Sequence, residues 1–335
     1  MENPMSTATV VKPEKLLKEL GSLWTQLGKE ETEGSSRSAG VLRAVTMTFI
    51  LGVEEGEDES AGGEALAQLM HEHPSRAIVL KLAKDASRDL EGRAFAQCWM
   101  PFGRRQQICC EQIEVSAGAQ HFGDVVSLLN GLIAPDLPVV FWCRSVRVFE
   151  HAAFGDIAAM AHKVIVDSRS HKNPIDTLRW IDRQLKAGHL VGDLTWTRMT
   201  RWRQTIANVF ERLDCQSFLH NLNRAVIGYA HAPVPVAAIY LSAWLKSVLG
   251  MDFPVECKYV ESDVRWQIRE VRFESALQDV VIERREVGFV EAHVNNFSSR
   301  FVFEVLDEAK LVREELAILG RDPIFAKAVS IASLV

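Results

Sequence analysis

Leu16, Leu20, Leu23, Trp24 and Leu27 recur at three- and four-residue intervals within "EKLLKELGSLWTQL" (14–27). That spacing predicts an amphipathic helix with one apolar face. Burying five such side chains yields about 1.5–3 kcal/mol each, while ordering each residue costs roughly 1–2 kcal/mol. The helix therefore has to dock, on its own body or on a partner. "GKEETEGSSRSAG" (28–40) follows as a polar, small-residue linker.

Branched residues dominate "VLRAVTMTFILGV" (41–53), which reads as one buried strand. "EEGEDESAGG" (54–63) is an acidic loop, and "GGEALAQLMHEH" (62–73) a short helix stopped by Pro74. "SRAIVLKLA" (75–83) completes a strand–helix–strand unit, which favours parallel pairing. Two strands without an intervening helix come next, "RAFAQCWMP" (93–101) and "RQQICCEQIEV" (105–115), with Pro101 and Gly103 in a tight hairpin-like connection. A helix at 120–132, a strand at 137–144, a helix at 149–161 and a strand at 163–168 complete the first half.

"NPIDTLRWIDRQLKAG" (173–188) predicts a helix with Asn173 as its cap, Pro174 in its first turn and Gly188 at its end. "DLTWTRMTRWRQTIANVFERL" (193–213) reads as a second helical stretch. A strand "NRAVIGYAH" (223–231), a helix at 235–250, and strands in "VECKYV", "VRWQIREVRFES", "VVIERREV" and "GFVEAHVN" follow. A helix at 304–319 and an apolar tail close the chain. The fold class expected is α/β with α+β elements: a mixed-sheet, three-layer N-terminal domain and a second α/β domain. Residues 1–40 form the helix and linker, 41–190 the first domain, and 191–335 the second, with a helical linker at its start. The order strand, helix, strand, strand, strand begins at "RAVTMTF" and again at "RAVIGYA"; structural duplication and coincidence both account for it.

Composition narrows the function classes. Of 335 residues, 47% are hydrophobic and 24% charged, as in ordinary globular proteins. The net charge of -6 disfavours nucleic acid as a partner. No run reaches the roughly 20 apolar residues of a membrane span, and the first residues lack a signal-peptide pattern. A cytoplasmic location is expected, with the six cysteines mostly core thiols.

"WMPFGRRQQICCEQIEV" (99–115) carries the densest candidate chemistry. Neighbours on a strand point to opposite faces, so Cys109 and Cys110 can hardly share a metal ion or a disulfide. A cross-hairpin bond from Cys98 to either is conceivable, but small buried hydrophobes are the simpler reading. No Gly-x-Gly-x-x-Gly, P-loop, Gly-x-Ser-x-Gly or Cys-x-x-Cys motif occurs, so no cofactor and no metal is expected. "VDSRSH" (166–171) sets Asp167, Ser168 and Arg169 at a strand end, either as a ligand site or as a helix-entry turn. Arg104, Arg105, Gln106 and Gln107 at the hairpin, and Trp196, Arg198, Trp202 and Arg203 on a helix, match the residue types of protein–protein hot spots. Core tryptophans with arginines reaching to solvent are the other reading of the helical set.

Taken together, "HPSRAIVL" (73–80), "CWMPFGRRQQICCEQIEV" (98–115), "LPVVFWCR" (137–144), "VDSR" (166–169) and "DLTWTRMTRWR" (193–203) resemble the glucose-6-phosphate dehydrogenase assembly protein family, OpcA, over residues 14–320. The resemblance implies a non-catalytic assembly factor and allosteric activator. It would bind glucose-6-phosphate dehydrogenase in the oxidative pentose phosphate pathway and favour NADPH production. The alternative is a sugar-phosphate- or nucleotide-binding enzyme or sensor using Arg104, Arg105 and the strand end at Asp167.

Overall fold

The computed structural model describes residues 11–34, 41–56, 59–99, 107–211, 218–230, 232–261, 267–276, 278–294 and 297–335. The chain divides into two compact units, Met1–Val166 and Asp167–Val335.

In the first unit, α1 (Pro13–Gly34) buries Leu16 and Leu20. It packs on β4 (Glu91–Trp99), β1 (Val41–Arg43) and α3 (Asp124–Leu132), so the helix docks on its own body. Gly92 of β4 leaves the room: a Cβ there would stand 3.0 Å from Val11 and 3.1 Å from Leu16. The helix continues through 28–34, where a linker was expected, because Lys29, Glu30 and Glu31 are good helix formers.

The single strand expected over 41–53 is two strands. β1 runs beside β5 (Gln107–Ala117), and β2 (Met47–Glu54) runs beside β3 (Ser75–Leu82). The switch is visible in the backbone: Ala44 N donates to Cys109 O, whereas Thr46 N donates to Pro74 O. α2 (Glu59–Glu72) begins inside the expected acidic loop. β6 (Val139–Cys143) and β7 (Lys163–Val166) complete the parallel run β5-β3-β2-β6-β7, with β4 antiparallel on β5. β6 and β7 are buried throughout, as parallel strands covered on both faces require. The helix expected at 149–161 is α4 (Val146–Glu150) and α5 (Phe154–Met160), broken where His151 Nδ1 accepts from Ala153 N.

The second unit opens with a 3-10 turn (Ser168–Ser170), α6 (Pro174–Lys186) and β8 (Leu190–Asp193). Asn173 makes no side-chain cap on α6; its amide bonds the Asp176 carboxylate instead. The helical stretch at 193–213 is α7 (Leu194–Arg198) and α8 (Thr200–Phe210), with Met199 between them. The second sheet has the order β10-β9-β11-β12-β13-β14. Its strands are β9 (Leu222–Tyr229), β10 (Val255–Tyr259), β11 (Glu270–Ser275), β12 (Asp279–Glu286), β13 (Gly288–Val294) and β14 (Phe297–Phe303). Among the described residues of this sheet, only β9 and β10 pair in parallel, joined through α9 (Val236–Leu249). α10 (Glu308–Ala317) and α11 (Pro323–Ala332) follow, so the apolar tail is helical, with Asp322 accepting from Ile324 N and Phe325 N at its start.

The repeated element order does not extend to the sheets. In the first unit β5 adds beyond β3 in parallel. In the second, β11 adds on the other side of β9, antiparallel. Similar strings of elements thus build different topologies, which removes the structural argument for duplication.

Candidate functional site: the buried aspartate pair and its arginines

Asp167 and Asp193 cap two short helices on either side of α6 and β8, and both are buried. Asp167 accepts from Arg169 N at the 3-10 turn, and Asp193 accepts from Thr195 N at α7. Their shared neighbour is Thr195, whose hydroxyl donates to Asp167 Oδ1 at 2.9 Å. Arg198 Nη1 reaches the same oxygen at 2.9 Å. Asp193 also accepts from Ser168 N (3.1 Å) and from the Tyr240 hydroxyl (2.8 Å).

The two carboxyls titrate apart, which neighbouring charges explain. Burial works to raise Asp167, but the Arg198 and Arg169 guanidinium groups hold it below the ordinary carboxylate value. Burial, with the Asp167 charge adding to it, pushes Asp193 up to about 6. "VDSR" is thus a helix-entry turn whose carboxylate fixes an arginine.

The helical hot-spot candidates divide in the same way. Trp196 and Trp202 are each only 3% exposed. Trp196 packs edge-on to Tyr240 at 5.6 Å and beside Phe325 at 5.5 Å; Trp202 meets Phe303 edge-on at 5.3 Å. Both are core side chains, which corrects their reading as partner-facing anchors. Arg203 stacks 3.6 Å above the Trp196 ring and donates to Trp196 O and Thr200 Oγ1, bracing the break between α7 and α8. Burial pushes it down to about 10. Arg104, Arg105 and Gln106 lie outside the described residues. Gln107 begins β5, paired with Val41.

The cysteines also depart from expectation. The hairpin register sets Cys98 directly opposite Cys109, and the two form a disulfide. Cys110 faces away as a buried thiol, pushed up to about 11 by burial. Alternation separates Cys109 from Cys110, but cross-strand pairing, which alternation does not specify, joins Cys98 to Cys109.

In a doubly wound sheet a dinucleotide sits at the carboxyl ends of the strands, where the strand order reverses. In the first unit that place lies between β2 and β6. There Gly52 O accepts from Arg144 N (2.9 Å) and Ser145 N (3.1 Å), and Glu54 pairs with Arg147 of α4. A Cβ on Gly52 would stand 3.1 Å from Phe141 and 3.2 Å from Val148. β2 ends on Glu54, with Glu55 directly after it, where a glycine-rich phosphate loop would begin. Carboxylates at a strand end disfavour a pyrophosphate, which helix N-termini and glycine-rich turns attract.

These features define an α/β protein of two units, each built on its own sheet. The chain belongs to the OpcA family: residues 67–183 match the glucose-6-phosphate dehydrogenase subunit N-terminal domain, and residues 189–329 the corresponding C-terminal domain. Among curated relatives, a Nostoc punctiforme protein bearing the OpcA name and a provisional OxPP-cycle assignment is 26% identical over 203 residues, 60% of this chain and 42% of its own length. A Synechocystis counterpart is 25% identical over 190 residues, 56% of this chain and 39% of that protein. The chain thus spans less than half the length of the curated relatives it matches. Among solved structures, a 3-ketoreductase from Actinomadura kijaniata superposes at TM-score 0.49 with 10% identity, covering 87% of this chain and 96% of that one. A biliverdin reductase from Synechocystis gives 0.45 with 10% identity, over 86% and 97%. No helix among the described residues is long and apolar enough to cross a membrane.

Proposed function

We propose that this protein is a non-catalytic subunit that binds glucose-6-phosphate dehydrogenase, promotes its assembly and raises its activity. The carrying observation is the match of both halves of the chain to domains described as parts of a glucose-6-phosphate dehydrogenase subunit. The close packing of Phe141 and Val148 against Gly52, between β2 and β6, supports a binding role over hydride transfer. The action is linkage: a subunit that binds the active conformer of the enzyme shifts the population toward it. A tenfold gain in apparent affinity needs only about 1.4 kcal/mol of coupling. The hairpin residues Arg104, Arg105, Gln106 and Gln107 are the proposed contact, and the cytoplasm the proposed location. The enzyme-or-sensor alternative loses Asp167 as a ligand-binding or catalytic group, because its carboxylate is spent on capping and on Arg198. Mixing the protein with its cognate dehydrogenase and following mass and rate together tests the reading. A complex with a raised rate is expected; no complex and an unchanged rate overturn it.

A further inference from the structure

Arg169, Arg198, Arg201 and Arg284 line one cavity of ≈ 330 Å³ in the second unit, with Trp202 and Phe303 among its apolar wall residues. The four cations come from four elements: the 3-10 turn, the end of α7, the first turn of α8, and β12. We infer that this cavity binds a small organic phosphate monoester.

Two guanidinium groups are fixed in place. Asp167, itself held by Thr195, bonds Arg198 at 2.9 Å. Arg284 lies 5.0 Å from the centre of the Phe303 ring, a cation–π placement. Preset arginine forks suit phosphate oxygens, which accept several N–H bonds at once. Burial lowers Arg169 and Arg284; at Arg169 the Asp167 carboxylate, 3.8 Å away, opposes burial while Arg198 adds to it.

The rim also carries Glu304, Asp307 and Glu308. Glu304 pairs with Lys310 at 2.6 Å, and Asp307 accepts from Lys310 N as the cap of α10, so two of the three carboxylates serve α10. Glu308 acts on Arg169, raising it. Ala237, in the first turn of α9, lines the cavity too, and no side chain caps that terminus. Its helix dipole adds to the preference for an anion. The volume lies at the lower end of ligand pockets, near 300 Å³. That suits a phosphate on a short carbon skeleton and excludes a dinucleotide.

The full-length chain is titrated by calorimetry and thermal shift with glucose 6-phosphate, inorganic phosphate and uncharged glucose as probes. Glucose 6-phosphate should raise Tm and bind with Kd below about 1 mM, and glucose should do neither. Arg201→Gln and Arg284→Gln should each weaken binding by roughly tenfold without changing the circular dichroism. Arg201 is one-third exposed, so Arg201→Gln decides the matter if Arg284→Gln fails to fold. Absence of binding by either phosphate, binding of inorganic phosphate alone, or equal binding by wild type and Arg201→Gln overturns the proposal. No dehydrogenase is present, so the result is independent of the proposed function.

Discussion

The Tyr240 hydroxyl donates to Asp193 Oδ2 at 2.8 Å, and both side chains are 0% exposed. Raised to about 6, Asp193 holds its proton more tightly in the folded chain than in the unfolded one, where carboxyls titrate near 4. Its contribution to stability is complete below about pH 4 and is lost as pH rises through about 6. Asp167 runs the other way, because its folded value is depressed: its contribution is present above about pH 4 and fades on acidification. Asp193→Asn should therefore stabilise the protein at pH 7.5, by up to about 2–3 kcal/mol, and the gain should close toward pH 4.5. Thermal unfolding of both proteins from pH 4.5 to 8 checks this; a gain that is constant with pH would reject it.

Glu111 is fully buried and serves three partners. Arg76 Nε reaches it at 2.6 Å, the Trp24 indole at 3.2 Å, and Arg43 makes a further ion pair. One carboxylate thus ties α1, β1 and β3 to β5. Glu111→Ala leaves the buried Arg76 uncompensated and should cost about 3–5 kcal/mol. Glu111→Gln, which keeps an acceptor, should cost less. Urea unfolding ranks the two variants.

The bond between Cys98 and Cys109 spans a sequence separation of 11. A cross-link over so short a loop stabilises by about 2–3 kcal/mol in the chain-entropy account. Cys98→Ser should lose that amount without reductant. Dithiothreitol should lower wild-type stability to the same level and leave Cys98→Ser unchanged. If reductant affects both equally, the bond is not the source.

Arg104→Ala with Arg105→Ala should weaken activation of the cognate dehydrogenase while leaving the variant's own melting temperature near wild type. Melting and rate measured on the same preparation separate the cases. A collapse in melting temperature would mark the pair as structural.

Where the core shows in the sequence, it does so through unbroken apolar runs between breakers. "AIVLKL" gave β3, "VVFWC" β6, and the Pro174-to-Gly188 interval α6, because burial on both faces or one stripe leaves a one-dimensional trace. β14 leaves none: "FSSRFVF" dilutes its apolar positions with serines and an edge arginine. Asp167, Arg198, Trp196 and Trp202 were each visible as candidates, but their partners lie far along the chain. Asp167 meets Arg198 across 31 positions, and Trp202 meets Phe303 across the second sheet. Alternation also shows which face a cysteine takes but not the register that sets Cys98 against Cys109. Asp193 passed as the start of a helix; its sole signal was an aspartate at a cap position.

Gly52 sets a limit on redesign of the first unit. Grafting a glycine loop after β2 would not install a cofactor. The Gly52 carbonyl would still hold Arg144 N and Ser145 N, and Arg147 would still seek Glu54. Each repair alone strips a satisfied contact and returns nothing until the others are made. Opening this edge to a ligand therefore requires several coordinated substitutions, so the contacts at Gly52 act together as a latch.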